Sequence, residues 1–260
     1  MRLLTFFLCL TILSCNGPNS STHKKNQGSQ DSLKQNDDKA IIEKQNAKRT
    51  PRSTGSIQQD YPEIKSEEIE QNREKLPVLT QDNVVELLTE FGKQNLQNKV
   101  RIKTRFGEIS IELFDETPLH RANFIYLIQQ GYFTDTFFHR IVPNFIIQGG
   151  NSDLRSTPKK RKSIGSNYLL PAEINSNRIH TYGTLSGAKE YRENPDKLSA
   201  PYEFFIFCGP DISGRHLNGN YTIFGQVTQG MDVVETIANL PADAGEWPKS
   251  NVYIEVSIDE

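Results

Sequence analysis

Apolar residues are distributed unevenly along these 260 residues, and this distribution limits where a folded core can lie. Between residues 16 and 80 the only aromatic residue is Tyr61, and Asn, Gln, Ser, Lys and Asp predominate. From Gln81 onward apolar runs recur, and that length of chain suffices for a substantial core. The sequence therefore predicts one folded core in the C-terminal two thirds of the chain.

Residues 1–14 have the pattern of a secretion signal. A positive start at Arg2 precedes an apolar run, residues 3–13, that is too short to span a bilayer. Residues 12–15 resemble the bacterial lipobox, in which cleavage before the cysteine frees its thiol for diacylglycerol attachment. We expect lipidation at Cys15 and a lipid-anchored, extracytoplasmic place in the cell envelope, periplasmic or outer membrane. An ordinary signal peptide with a chance cysteine is the alternative.

Residues 15–78 are predicted to form a disordered polar tether. Almost no core-forming residues occur there, so the segment cannot bury enough apolar area to offset its ordering entropy. As a flexible coil of roughly 60 residues it would span about 40–45 Å on average. Residues 79–98 follow as a short amphipathic helix extension, because Val84, Leu88 and Phe91 recur at helical spacing. We expect this helix to pack on the domain surface, with partner docking as the alternative.

Charge and residue usage exclude several classes of function. The formal net charge of -2 gives no electrostatic footprint for nucleic acid. With Cys9 removed and Cys15 lipidated, Cys208 would be the one remaining thiol, so no disulfide framework is expected. We interpret Cys208 as a small buried hydrophobe. The histidines lack metal-ligand spacing and no Gly-rich phosphate loop occurs, so we expect no metal and no other cofactor.

The folded domain is predicted over residues 99–260. It opens with two alternating runs, residues 100–114, that form a hairpin. A helix follows with Pro118 at its first position, where the missing N–H costs little. Short strands then recur, a second helix is predicted over residues 231–240, and alternation returns over residues 252–258. This pattern fits a mainly β fold, a closed antiparallel eight-stranded barrel capped by two helices, although composition alone also allows a sandwich.

Three ordered motifs in this domain carry its chemistry. FHRIVPNFIIQGG, residues 138–150, places a cation, an aromatic ring and an amide close together before two glycines. EFFIF follows at residues 203–207 and LNGNYTIFG at residues 217–225. In this order the motifs resemble the cyclophilins, which are peptidyl-prolyl cis/trans isomerases. The resemblance extends over roughly residues 99–260 and implies the barrel rather than the sandwich.

Isomerisation of an X–Pro bond requires no nucleophile. The barrier of about 18–20 kcal/mol exists because the nitrogen lone pair is delocalised into the carbonyl. A catalyst must therefore bind the twisted amide better than either planar form. The resemblance implies that Arg140 donates to the prolyl nitrogen, and a guanidinium stays charged and presents a rigid fork of donors. It also implies that Gln148 binds the substrate backbone and helps to orient Arg140. Outside this motif, Arg140 would be interpreted as a surface arginine.

The resemblance further implies a pocket for the proline ring. The expected substrate-binding residues are Phe145, Ile146, Ala188, Glu203, Phe205, His216, Leu217 and Tyr221. For Phe145, plain core packing is the alternative. Because strand alternation would not place Phe145 and Gln148 on one face, a bend near Pro143 or at residues 149–150 is required.

Two of these positions depart from the family pattern. Glu203 stands where the family usually has Gln, and an ionised carboxylate can only accept hydrogen bonds. We expect it to attract Arg140, either orienting the guanidinium or drawing it away, and the hypothesis is that it lowers turnover. His216 stands where cyclosporin-sensitive relatives carry Trp, which implies weak inhibition by cyclosporin.

The sequence thus predicts a peptidyl-prolyl isomerase that assists the folding of extracytoplasmic proteins. Its expected partners are proline-containing polypeptide clients and, through the lipid anchor, a membrane; a monomer is the default. The alternative is a proline-peptide-binding chaperone or scaffold with little turnover, in which Glu203 neutralises Arg140.

Overall fold

The structure, a computed structural model, describes residues 76–189 and 193–259. The predicted signal peptide, the lipidation site at Cys15 and the tether up to residue 75 lie outside the described residues. Within the described ranges, no helix combines the length and the apolar character needed to cross a membrane.

The described chain contains four α-helices, one short 3-10 helix and ten strands. The helices are α1 (Val84–Gln94), α2 (Pro118–Gln129), α3 (Ser156–Ile164) and α4 (Met231–Ala238), and the 3-10 helix is Asp211–Gly214. The strands are β1 (Lys99–Thr104), β2 (Gly107–Leu113), β3 (Phe137–Phe138), β4 (Arg140–Val142), β5 (Ile146–Gly149), β6 (Thr184–Lys189), β7 (Ser199–Phe207), β8 (Ile223–Gln229), β9 (Val252–Tyr253) and β10 (Glu255–Ile258).

Eight of the strands form one curled antiparallel sheet, a half-barrel, in the order β10-β1-β2-β8-β6-β7-β5-β4. The other two, β3 and β9, pair separately. The predicted mainly β fold is confirmed. The predicted closure of the barrel is not, because the edge strands β4 and β10 do not pair with each other within the described residues.

Helix α3 is the element that the sequence did not predict. Its sequence STPKKRKSI buries only Thr157 and Ile164, so no apolar stripe marks it as a helix. Helix α2 has the opposite character, since every residue from His120 to Leu127 is buried. It is covered by α1, and a Cβ on Gly92 would lie 3.2 Å from the Cβ of Ala122, which shows how closely these two helices approach.

The segment before the sheet packs its apolar side chains into the core of the domain. Leu79 is 1% exposed and shares the main hydrophobic core with Val84 and Leu88 of α1. The backbone N–H of Leu79 donates to the carbonyl of Ile164 at the end of α3, at 2.7 Å. The buried face of residues 76–94 therefore contributes to the core, while Val85, Glu86 and Thr89 of α1 are exposed. The predicted boundary of this helix extension stays a prediction.

Strands β5 and β7 contribute to two hydrophobic clusters because their side chains alternate between the faces of the sheet. On one face, Ile147 and Ile206 belong to the main core. On the other face, Ile146, Phe205 and Phe207 form a second, smaller cluster. The pocket residues predicted from the sequence lie mostly on this second face.

Candidate active site

Three neighbouring strands bring a cation, an amide and an aromatic ring into one row. Arg140 of β4 pairs with Gln148 of β5, and Gln148 pairs with Phe205 of β7. Side chains directly opposite each other on antiparallel strands project on the same face, with Cβ atoms about 4.5–5.5 Å apart. The register therefore places these three side chains beside one another, as the predicted site requires.

The bend that the sequence required lies between β4 and β5. The N–H of Phe145 donates to the carbonyl of Val142 at 3.1 Å and closes a turn in which Asn144 has φ +56°. Proline at the second position and a residue with positive φ at the third are typical of a type II turn. The turn brings the Phe145 ring to the second cluster, 6.1 Å from the ring of Phe207.

The second cluster forms the apolar side of the site. Ile146, Phe205 and Leu217 are buried, whereas Phe145 and Tyr221 are partly exposed at its rim. The rings of Phe205 and Tyr221 meet edge to face at 5.5 Å. A buried floor with partly exposed rings around it suits the binding of a small apolar ring such as that of proline.

The remaining predicted pocket residues differ in how they relate to this cluster. His216 is exposed and stacks on Phe145, with the ring centroids 5.5 Å apart. Ala188 is buried in β6 but belongs to neither hydrophobic cluster. The structure thus brings His216 to the pocket rim and does not bring Ala188 into the cluster.

Glu203 does not pair with Arg140, contrary to expectation. Its Oε2 accepts a hydrogen bond from Nε2 of Gln148 at 2.9 Å and lies 3.4 Å from Nε2 of His139. Its Oε1 lies 3.5 Å from the guanidinium of Arg161, which α3 supplies. Among the described residues these three, and not Arg140, are the polar partners of the Glu203 carboxylate.

The surroundings of Glu203 keep it ionised. Burial alone would raise the pKa of Glu203, but His139, Arg161 and the amide of Gln148 stabilise the carboxylate and lower its pKa to about 2. An ionised carboxylate can only accept, so Gln148 must donate through Nε2 and turn its amide oxygen away from Glu203. The departure from Gln to Glu at position 203 thereby fixes the orientation of the Gln148 amide.

The partner of Arg140 is Glu246, in the loop between α4 and β9. Nε of Arg140 donates to Oε2 of Glu246 at 2.5 Å, and the N–H of Ile141 donates to the Glu246 carbonyl at 2.9 Å. Within the described residues no hydrogen bond joins Arg140 to Gln148. The predicted role of Gln148 in orienting Arg140 is therefore not seen as a direct contact.

Comparison with known proteins decides which family this site belongs to. Residues 99–257 match the family model for cyclophilin type peptidyl-prolyl cis-trans isomerases. The chain belongs to this family. Isomerase activity, predicted from the three motifs, is thereby confirmed.

Individual relatives agree with this assignment. The chain is 36% identical over 145 residues to a peptidyl-prolyl cis-trans isomerase of Acinetobacter baylyi, covering 55% of this chain and 72% of that protein. It is 35% identical over 159 residues to the peptidyl-prolyl cis-trans isomerase CYP18-2 of Arabidopsis thaliana, covering 60% of this chain and 90% of that protein.

A solved structure of a cyclophilin from Cryptosporidium parvum is similar with a TM-score of 0.53 and 30% identity, covering 63% of this chain and 98% of its own. A second structure of that protein, in the presence of the dipeptide Ala-Pro, matches with a TM-score of 0.52 and 30% identity over 62% of this chain and 99% of its own.

Four residues of this cyclophilin's site were missed by sequence reasoning: Glu246, Arg161, His180 and Lys189. His180 stacks on Phe205 with the rings nearly parallel at 5.9 Å, and its Nε2 lies 3.0 Å from the hydroxyl of Ser186. Burial lowers the pKa of His180.

Lys189 places its ammonium 5.6 Å from the centroid of the Tyr221 ring. No motif or spacing marks these residues, because only the folded chain brings them to the site.

The described residues give no site for a metal ion. No group of three or more His, Cys, Asp and Glu side chains lies there in an arrangement suited to a cation.

Cys208 is buried, and burial raises the pKa of its thiol to about 11, as suits a small apolar side chain rather than a nucleophile.

Proposed function

We propose that this cyclophilin isomerises X–Pro bonds by donating from the Arg140 guanidinium to the prolyl nitrogen while the second hydrophobic cluster holds the proline ring. The observation that supports this most directly is the row of Arg140, Gln148 and Phe205, with Phe145 and Leu217 packed in the adjoining cluster. A charged donor thus stands next to an apolar cluster, which is the combination that a twisted prolyl amide needs.

The physical basis is the change in the prolyl nitrogen on twisting. In the planar amide its lone pair is shared with the carbonyl and accepts hydrogen bonds poorly; in the twisted form the lone pair stays on nitrogen and becomes a good acceptor. Arg140 therefore stabilises the transition state more than either ground state, as catalysis requires. A hydrogen bond to a charged group contributes about 1.5–3 kcal/mol, which corresponds to roughly tenfold to hundredfold in rate.

The mechanism also assigns a task to Gln148. Because one N–H of Nε2 donates to Glu203, the amide oxygen points away from that carboxylate and can accept from a substrate backbone N–H. That contact fixes one side of the X–Pro bond while the other side rotates. The hypothesis that Glu203 lowers turnover by drawing Arg140 away loses its basis, since Glu203 contacts Arg161, His139 and Gln148 instead.

The test compares the wild-type chain with Arg140→Ala, both full length and purified in detergent, in a protease-coupled assay on a proline peptide. We expect kcat/KM to fall at least about tenfold, or about 1.4 kcal/mol of transition-state stabilisation. Arg101→Ala is the matched control, because Arg101 is another strand arginine with carboxylate partners but lies in β1. Equal activity of wild type and Arg140→Ala would contradict the proposal, and equally low activity of the two would favour a proline-peptide binder with little turnover.

We also propose that the protein acts outside the cytoplasm, anchored through a lipid on Cys15, and assists the folding of exported proteins. The signal-like residues 1–14 and the lipobox pattern support this placement. Growing the producing bacterium with a labelled fatty acid should label the wild-type chain and leave Cys15→Ala unlabelled. An unlabelled wild type would favour an ordinary signal peptide, and label retained on Cys15→Ala would place the lipid at another residue; either result contradicts the proposal.

A further inference from the structure

The guanidinium of Arg140 is held from one edge only. Nε donates to Glu246, and within the described part of the chain no residue accepts a hydrogen bond from either terminal nitrogen. The side chains of Arg140 and Glu246 are 26% and 36% exposed, so the pair stands at the boundary of the site with solvent. Both terminal NH₂ groups are therefore left to donate to a bound substrate.

The loop that carries Glu246 is shaped to present it. Glu246 has φ +62°, a left-handed conformation that residues other than glycine adopt rarely. Oδ1 of Asp243 accepts from the N–H groups of Gly245 and Trp247, at 2.8 and 3.0 Å. The Glu246 carbonyl accepts from Ile141, the residue next to Arg140. Hydrogen bonds on both sides thus fix the backbone from which the carboxylate reaches Arg140.

We infer that Glu246 is a positioning residue for Arg140, holding Nε so that the terminal N–H groups are oriented for the prolyl nitrogen. The inference rests on the catalytic role proposed for Arg140. The family resemblance implied that Gln148 orients Arg140. In the structure, Gln148 donates to Glu203 and makes no hydrogen bond to Arg140 among the described residues. Glu246 is the side chain that takes this place.

Orientation outweighs charge neutralisation at this position. The carboxylate of Glu246 could weaken catalysis by neutralising the charge of Arg140. Both side chains are partly exposed, so water screens this charge interaction and keeps the effect small. The hydrogen bond at Nε is directional and persists, and it restricts a side chain that otherwise samples many rotamers. Removing Glu246 should therefore slow catalysis rather than speed it.

The experiment measures kcat and KM separately for full-length Glu246→Ala, Glu246→Gln and Glu246→Asn. Glu246→Ala should lower kcat roughly fivefold and leave KM within about twofold, because the oriented donor acts in the transition state. Glu246→Gln keeps an acceptor for the Nε–H and should retain most of the rate. Glu246→Asn tolerates the left-handed backbone but is shorter, so it should behave like Glu246→Ala with the loop intact.

Two further arms separate positioning from other roles. In the Arg140→Ala background, Glu246→Ala should have no additional effect on kcat. The Nε–H resonance of Arg140 should be protected from solvent exchange in the wild type and lose that protection in Glu246→Ala. Glu86→Ala is the control, since Glu86 is an exposed carboxylate in α1.

Each outcome distinguishes the two proposals. A slow Arg140→Ala with an unchanged or faster Glu246→Ala would overturn the positioning role alone. Glu246→Ala would also overturn it by lowering kcat equally in the wild-type and Arg140→Ala backgrounds, because the carboxylate would then act independently of Arg140. Wild-type activity in Arg140→Ala would overturn the proposed mechanism and the inference together.

Discussion

Glu203 and Glu246 are carboxylates that flank the same row of Arg140 and Gln148, but their surroundings differ. Glu203 sits in β7, is 19% exposed and touches His139, Arg161 and Gln148. Glu246 sits in a loop, is 36% exposed, and among the described residues its carboxylate pairs with Arg140. A largely buried charge with three partners is costly to disturb, whereas a more exposed ion pair contributes less to stability. The comparison predicts that Glu203 governs stability and Glu246 governs rate.

The largest expected effect is the loss of stability in acid that Glu203 causes. Its pKa is lowered from 4.5 to about 2 in the folded state, so its ionised form stabilises the fold by up to about 3 kcal/mol above pH 4.5. That contribution is fully present above the unfolded pKa and is lost as pH falls towards about 2. Urea unfolding of the wild type and Glu203→Gln over this range should show their difference shrinking with acid; a constant difference would contradict the assignment.

The next effect concerns the cation that α3 supplies to Glu203. Arg161→Met keeps most of the side-chain volume but leaves the buried carboxylate without this partner and removes the Nε hydrogen bond to the Tyr132 hydroxyl. We expect a loss of about 2 kcal/mol in the free energy of unfolding, below the range for fully buried pairs because Arg161 is 28% exposed. Arg101→Met, at an exposed ion pair, serves as the control and should change it by less than about 1 kcal/mol.

A smaller effect on stability is expected at the other carboxylate. Glu246→Ala should change the free energy of unfolding by less than about 1 kcal/mol, because the exposed pair contributes little. Thermal or urea unfolding of this variant, measured beside its kcat, would show the rate falling while the fold is retained. A loss of stability as large as that of Glu203→Gln would remove the distinction between the two carboxylates.

The smallest effect is the response to salt. Raising the ionic strength screens exposed charges more than buried ones. The stability difference between wild type and Glu246→Ala should therefore shrink by a few tenths of a kcal/mol in high salt. The difference between wild type and Glu203→Gln, measured in the same unfolding series, should stay constant. Equal salt dependence for both pairs would show that Glu203 is as open to solvent as Glu246.

Much of the site could be predicted because its residues lie in contiguous motifs. Arg140, Phe145 and Gln148 come from one stretch of chain. Strand alternation required a bend near Pro143 or at residues 149–150, and the structure has a turn at Pro143. Phe205 and Leu217 followed from two further motifs. The hairpin of β1 and β2 and helix α4 could be predicted from the sequence, since each has a regular apolar pattern.

The rest depends on contacts that no local pattern encodes. Helix α3 has few buried apolar residues, so its sequence predicts neither a helix nor an ion pair with Glu203. Glu246 lies in a loop far along the chain from Arg140, and only the packed fold brings them together. The expected Arg140–Glu203 pair was wrong for the same reason, because charge and family position could not reveal that each side chain has another partner.

The central claim is that the Arg140 guanidinium, placed beside the second hydrophobic cluster, lowers the barrier to rotation of a bound X–Pro bond. Exchange NMR on a proline peptide at saturating protein measures that rotation directly on the full-length chain and on Arg140→Ala. The account predicts that Arg140→Ala still binds the peptide but exchanges cis and trans forms at least about tenfold more slowly. Equal exchange rates for the peptide bound to the wild type and for the peptide bound to Arg140→Ala would contradict it.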